Sequence, residues 1–112
     1  MASPLTTHVL DTANGVPAAG VAVTLTRLDG GARELARGTT NADGRIPELV
    51  SPRVFDVGRY VLRFEVADYF AALGTPCFFP WAELVFDVTD LSRHHHVPLL
   101  VSPYSYSTYR GS

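Results

Sequence analysis

Residues 59–66 of this 112-residue chain read RYVLRFEV, and this stretch decides the fold class. Its even-numbered positions are all apolar, and its odd-numbered positions are charged everywhere except at Val61. Successive side chains of a β-strand point to opposite faces, so a period of two predicts one row in a core and one row in water. The stretch therefore predicts an amphipathic strand of an all-β protein.

The same period recurs on both sides of this strand, and sequences typical of tight turns separate the repeats. Turns are predicted at 14–15 (Asn-Gly), 29–31 (Asp-Gly-Gly) and 41–44 (Asn-Ala-Asp-Gly), because glycine and asparagine tolerate positive φ. The predicted strands are 5–11, 21–28, 32–40, 59–66, 82–88, 95–102 and 104–109.

One short helix interrupts these strands. It is predicted at 68–73, with Asp68 as its N-cap and Gly74 directly after its end. The elements together predict a single domain over residues 1–112. Its fold class is all-β, a two-sheet antiparallel β-sandwich of seven or eight strands with one short helix.

Composition excludes several classes of protein. Hydrophobic residues make up 46% and charged residues 18%, which is unlike a disordered chain. All nine basic residues are arginines, they form no cluster, and the net charge is −2, so no nucleic-acid partner is expected. No apolar run reaches the roughly 18 residues of a membrane span. No signal peptide is visible, and a single cysteine fits a reducing compartment, so a cytoplasmic protein is expected.

The four histidines are the candidate general bases, since histidine changes charge between about pH 5 and 8. His8 lies within a predicted strand, on a face that it shares with Thr6. Alternation places His94 and His96 on one face and His95 on the other. Three interpretations stay open: solvated strand-end residues, part of a zinc site that takes a third ligand from His8, or a base or proton shuttle paired with His8.

Three further features bear on function. Arg45 follows the turn at 41–44, where it is either a solvated surface charge or a guanidinium that binds a planar, carbonyl-rich anion with two parallel hydrogen bonds. Cys77 is expected to be a buried small apolar residue rather than a nucleophile. Residues 102–112 are rich in tyrosine and serine, which suits a final strand, a subunit interface or a small-molecule pocket.

Three ordered motifs resemble those of the 5-hydroxyisourate hydrolase family, the transthyretin-like enzymes of urate breakdown. They are LTTHVLD (5–11) with GVPA (15–18), TNADGR (40–45), and HVPLL (96–100) with SP (102–103) and the terminal YRGS (109–112). The terminal YRGS is the specific element, because these hydrolases differ there from the hormone carrier transthyretin. The resemblance covers nearly the whole chain and implies a two-sheet sandwich with one short helix.

The resemblance also implies a site and a reaction. His8, Arg45 and His96 match the family's catalytic trio, and His8, Arg45, Tyr109 and Ser112 match its substrate-binding residues. The implied reaction hydrolyses the N1–C6 cyclic amide of 5-hydroxyisourate to 2-oxo-4-hydroxy-4-carboxy-5-ureidoimidazoline, with no metal or other cofactor. One histidine of the pair is the general base, with His96 favoured, and Arg45 stabilises charge at the C6 oxygen. Family members are homotetramers, dimers of dimers with their sites in a central channel.

Two other functions compete with the hydrolase. A transthyretin-like carrier would hold small aromatic ligands in the same channel without chemistry, and a plain sandwich would serve protein contacts only. The trio of His8, Arg45 and His96 favours the hydrolase, because the carrier has other residue types there. The family commonly has an aromatic residue at the position of His95. Since that side chain faces away from His96, the difference is expected to affect packing rather than catalysis.

Overall fold

The computed structural model describes residues 2–111, and these residues form ten short strands and one helix. The strands are β1 (Leu5–Thr6), β2 (Val9–Asp11), β3 (Val16–Pro17), β4 (Ala22–Arg27), β5 (Arg33–Thr39), β6 (Gly58–Phe64), β7 (Ala82–Val88), β8 (His95–His96), β9 (Leu99–Ser102) and β10 (Ser105–Thr108). The helix α1 is Val66–Ala72 and lies between β6 and β7 in the chain.

The strand at 59–66 becomes β6, an inner strand of the first sheet. The strand order of that sheet is β5-β4-β6-β7, and all its pairs are antiparallel. Tyr60, Leu62 and Phe64 are fully buried, whereas Arg59 on the opposite row is exposed. The predicted division into a core row and an outer row is therefore confirmed over 59–64, but the strand ends before the predicted 66, because Glu65 is the N-cap of α1 and Val66 is its first residue.

The second sheet has the order β10-β9-β2-β3, and a ribbon of β1 and β8 completes the sandwich. Leu5, Val9 and Leu99 are fully buried and belong to the same core as the first sheet. The predicted all-β sandwich with one short helix is confirmed. Two strand pairs are nevertheless parallel, β1 with β8 and β2 with β9. Tight turns dictate antiparallel pairing only for neighbours in the chain, and these partners are far apart in sequence.

The strands outnumber the seven or eight predicted because two long predicted strands are divided. The stretch 5–11 becomes β1 and β2, and the stretch 95–102 becomes β8 and β9. The second interruption includes Pro98, which has no N–H group to continue a ladder of hydrogen bonds. The two-residue strand β3 was not predicted, because a pair of residues carries no periodic signal.

Helix α1 begins at Val66, two positions before the predicted start at 68. The N-cap is Glu65, without a side-chain capping hydrogen bond, so Asp68 lies in the first turn and the predicted Asp68 cap is wrong. Val66 and Phe70 are four residues apart on one face and fully buried, so packing against the core sets the start of the helix. Within residues 2–111, no helix has the length and apolar character needed to cross a membrane.

A polar contact joins this helix to β2. The Tyr69 hydroxyl donates a hydrogen bond of 2.8 Å to Asp11 Oδ2, and the same carboxylate accepts from the backbone N–H groups of Ala13 and Asn14. Burial raises the pKa of Asp11, but these hydrogen bonds outweigh it and hold that pKa below its usual value. The first turn and the helix are therefore tied together by a buried, fully hydrogen-bonded carboxylate.

Candidate active site

The parallel pair of β1 and β8 places Thr6 beside His96. Their Cα atoms are register partners, and Val97 N donates to the Thr6 carbonyl at 2.9 Å. In paired strands, directly opposite side chains lie on the same face of the sheet. Thr6 and His96 therefore project from one surface, where their side chains meet.

The Thr6 hydroxyl contacts two histidines. Its Oγ1 atom lies 2.8 Å from His96 Nδ1 and 2.8 Å from His94 Nε2. The predicted alternation of the histidine run is confirmed, since His94 and His96 share this face. Thr6 was not predicted as a site residue, although its place on the same face as His8 was visible in the two-residue period. The missing signal was the pairing of β1 with β8.

His8 and Arg45 meet across an isolated antiparallel bridge next to β2. The turn before Arg45 is held by Asn41, whose Oδ1 accepts from the N–H groups of Asp43 and Arg45. His8 Nε2 lies 2.8 Å from the Asp43 carbonyl oxygen. Because a carbonyl oxygen only accepts, this nitrogen carries the proton, and Nδ1 is the lone-pair nitrogen of neutral His8.

Gly44 makes this turn possible. Its φ is +76°, a conformation that L side chains rarely adopt. Its carbonyl accepts from Val9 N at 2.8 Å, which fixes the turn against β2. A Cβ atom at position 44 would collide with the Val9 carbonyl oxygen and come within 3.2 Å of the Pro17 Cβ. The glycine therefore allows the close approach that brings Arg45 to His8.

Electrostatics favour the neutral form of His96. Burial lowers its pKa, and the positive charge of Arg45 lowers it further, as do His8 and His94 when they are protonated, while a hydrogen bond to the Thr6 backbone opposes these effects. Its Nδ1 faces Thr6, and within residues 2–111 its Nε2 has no hydrogen-bond partner. A neutral imidazole with one nitrogen held and the other available is the arrangement that a general base needs.

His95 takes no part in this cluster. Its side chain is only 8% exposed and packs edge-on against Phe55, with ring centroids 6.1 Å apart. The predicted opposite orientation of His95 and His96 is confirmed. Within residues 2–111, no three His, Cys, Asp or Glu side chains are grouped closely enough to hold a metal ion. Cys77 lies outside the cluster and packs against the core, but it is only partly buried, so the expectation of a buried small apolar residue is confirmed only in part.

The C-terminal segment covers the other side of His96. Gly111 N donates to the His96 carbonyl at 2.8 Å, and the two residues form an antiparallel bridge. Tyr109 and His96 line a cleft of about 410 Å³ that also contacts Phe86 and Arg110.

The four predicted site residues in the described chain thus fall into two groups around His96. His8 and Arg45 meet each other and both lower the pKa of His96, but neither lines the cleft. Tyr109 and His96 both line the cleft, and Tyr109 is 57% exposed. The predicted site residue Ser112 lies outside the described residues.

Comparisons with known proteins agree on one family. The model of the HIUase/Transthyretin family matches residues 5–111. The chain is 48% identical over 113 residues to the 5-hydroxyisourate hydrolase of Mus musculus, covering 98% of this chain and 96% of that protein.

Two solved structures share the fold at nearly full length. The 5-hydroxyisourate hydrolase of Klebsiella pneumoniae has a TM-score of 0.84 and 42% identity, covering 96% of this chain and 97% of that chain. Sea bream transthyretin in complex with thyroxine has a TM-score of 0.91 and 36% identity, covering 96% and 94%. The backbone alone therefore does not separate a hydrolase from a ligand carrier, and the side chains of the site must do so.

Proposed function

The chain belongs to the HIUase/Transthyretin family, and from this premise we propose that it hydrolyses the N1–C6 amide of 5-hydroxyisourate. The product is 2-oxo-4-hydroxy-4-carboxy-5-ureidoimidazoline. The observation that carries the proposal is the proximity of two histidines and an arginine: His8 pairs with Arg45 across a bridge, and both lie near enough to His96 to lower its pKa. Identity of 48% to a hydrolase over nearly the whole chain supports the same function.

His96 is the proposed general base. Its lowered pKa leaves the imidazole neutral near pH 7, and its Nε2 is available to take a proton from water. The water oxygen bonds to C6 of the substrate while His96 Nε2 takes the proton. The C6–N1 bond then breaks, and its electron pair stays on N1, which receives the proton from His96. One water molecule is added in total, and the enzyme returns to its starting state.

Arg45 stabilises the negative charge that develops on the substrate, and His8 orients the attacking water. The guanidinium of Arg45 is exposed beside the cluster and donates hydrogen bonds to the C6 oxygen as it becomes negative. His8 Nδ1 accepts a hydrogen bond from the attacking water and orients it, because its Nε2 is held by the Asp43 carbonyl. General-base action is typically worth about 10²–10⁴-fold in rate, and one charge-stabilising donor about 10²–10³-fold.

The open site of one protomer points to an assembly. Arg45 and Tyr109 are both exposed, although charge stabilisation is strongest where water is excluded. A homotetramer, a dimer of dimers that encloses the site in a central channel, would supply that exclusion. Tyr109 and Ser112 are the proposed substrate-binding residues of the C-terminal segment. The single cysteine suits a cytoplasmic location.

The first test generates 5-hydroxyisourate with urate oxidase and follows the decay of its ultraviolet absorbance. We expect this protein to accelerate the decay and His96→Asn and Arg45→Ala to lower kcat by at least about 100-fold. Arg33→Ala, an exposed arginine on the distant strand β5, is the matched control and should keep full activity. A chelator should leave the rate unchanged. Decay at the spontaneous rate by a folded tetramer would favour the carrier and overturn the proposal.

A further inference from the structure

We propose that Thr6 and His94 are positioning residues that determine which nitrogen of His96 carries its proton. In the active arrangement, the Thr6 hydroxyl accepts a hydrogen bond from His96 Nδ1–H and donates one to His94 Nε2. His96 Nε2 is then the lone-pair nitrogen that takes the proton from water. This inference rests on the proposed function of His96 as the base.

The geometry leaves few arrangements, because a hydroxyl group has one proton. Thr6 Oγ1 is at the same distance, 2.8 Å, from His96 Nδ1 and from His94 Nε2. With both rings neutral, the hydroxyl can donate to only one of them, and where it donates to one ring it accepts from the other. If it donates to His96, the proton of that ring sits on Nε2, and the ring cannot accept another from water. The direction of this chain of hydrogen bonds therefore switches the base on or off.

His94 biases that direction. Neutral His94 can present a bare Nε2 to Thr6 and keep its own proton on the exposed Nδ1 side, which supports the active arrangement. A protonated His94 donates from Nε2 instead, so the hydroxyl can no longer donate to it. Arg45 lowers the pKa of His96, as do His8 and His94 when they are protonated, whereas a hydrogen bond to the Thr6 backbone raises it. Loss of a proton from His94 thus has two effects. It lets His94 Nε2 accept from Thr6, and it removes a positive charge that makes His96 a weaker base.

The same chain of hydrogen bonds suits the reaction itself. When His96 becomes an imidazolium, Nδ1–H still donates to Thr6, and Thr6 still donates to His94. No group has to rotate while the charge develops, which is the benefit of a preorganised site. Metal sites use the same device. There, a second residue accepts a hydrogen bond from the ring nitrogen that does not bind the metal, which fixes the tautomer and the orientation of the histidine ring.

The backbone holds Thr6 rigidly enough for this role. Its carbonyl accepts from Val97 N at 2.9 Å in the parallel ladder that pairs it with His96. Threonine is β-branched, so its χ1 angle is restricted as well. The hydroxyl is therefore placed between the two rings by the strand pairing.

Steady-state kinetics of tetrameric enzyme variants provide the first arm of the test. We expect Thr6→Val, which keeps the shape but removes the hydroxyl, to lower kcat by about 10- to 100-fold with KM nearly unchanged. Thr6→Ser keeps the hydroxyl and should retain kcat within about threefold. His94→Ala should lower kcat in the parent chain but have little further effect beside Thr6→Val, because it acts through Thr6. Full activity of Thr6→Val, or additive losses in the double variant, would overturn the proposal.

The second arm does not depend on turnover. In protein labelled with ¹⁵N at histidine, nitrogen chemical shifts identify the tautomer of each ring, and His96→Asn assigns the signal of His96. We expect the Nδ1–H tautomer for His96 in the parent chain and in Thr6→Ser, and a mixture of both tautomers in Thr6→Val. An Nε2–H tautomer in the parent chain would contradict the inference whatever the activity. A protein without turnover but with the expected tautomers would instead contradict the proposed function alone.

Discussion

The backbone of Gly111 packs directly against the imidazole ring of His96. A Cβ atom at position 111 would lie 2.6 Å from His96 Cδ2 and 2.9 Å from His96 Cβ, closer than real contacts allow. Gly111 does not have a positive φ, so its role is close approach and not backbone freedom. The glycine of the terminal YRGS motif therefore leaves the space that the imidazole ring of the candidate base occupies.

Gly111→Ala should displace either the ring of His96 or the C-terminal segment. A shift of about 1 Å in a reacting group can cost about 100-fold in rate, so we expect kcat to fall by about 10- to 100-fold. The melting temperature should change little, because the nearest atoms that the methyl group would meet all belong to His96, which is not part of the hydrophobic core. Enzyme kinetics and calorimetry check this, with Ser107→Ala on exposed strand β10 as the control. Full activity of the Gly111→Ala variant would show that His96 tolerates the added methyl group.

Gly44→Ala should destabilise the fold more than Gly15→Ala does. Both glycines have positive φ, +76° and +69°, but a Cβ meets nothing within 4 Å at position 15 and collides with the Val9 carbonyl at position 44. The backbone penalty alone is about 1–2 kcal/mol, and the collision adds to it only at position 44. Urea unfolding of both variants measures the difference. Equal losses would mean that the turn relaxes around the new methyl group.

His95→Phe should stabilise the protein, and more so in mild acid. Within residues 2–111, His95 Nδ1 is buried without a hydrogen-bond partner, which costs about 1–3 kcal/mol. Burial lowers the pKa of His95, and the charges of Arg110, Arg93 and His94 lower it further, against a small opposing effect of Asp90. The unfolded chain therefore binds the proton more readily than the folded chain.

The stability that depends on neutral His95 is present above the unfolded pKa of about 6.5 and is lost as the pH falls through the lower folded pKa. Denaturant unfolding at pH 7.5 and pH 5.5 checks this. The advantage of His95→Phe over the parent chain should grow at the lower pH. An advantage that does not change with pH would mean that the pKa of His95 is the same in the folded and the unfolded chain.

The pH dependence of the reaction should report His96. Because the pKa of His96 is lowered, kcat/KM should rise through a pKa below the usual 6.5 and be level above it. Arg45 contributes to that lowering, so Arg45→Gln should move the acid limb to higher pH in addition to reducing the rate. Arg33→Gln is the matched control. An acid limb unmoved by Arg45→Gln would place the titrating base elsewhere.

The two-residue period was sufficient to predict much of this protein. It assigned the buried row of β6, and it put His94 and His96 on one face with His95 on the other, because in a strand the direction of a side chain depends only on its position. The turn at 41–44 was equally clear, since its glycine is needed for a positive φ. These are local properties of the chain.

Such patterns do not predict which strands pair with each other. Thr6 and His96 are 90 residues apart, and only the packing of the whole core selects the parallel register that sets the hydroxyl between two histidines. The contact of Gly111 with His96 has the same origin. The sequence by itself thus determined the class of fold, the faces of its strands and the family. The tertiary structure decided which side chains meet, because the register between distant strands follows from the burial of the core and not from local periodicity.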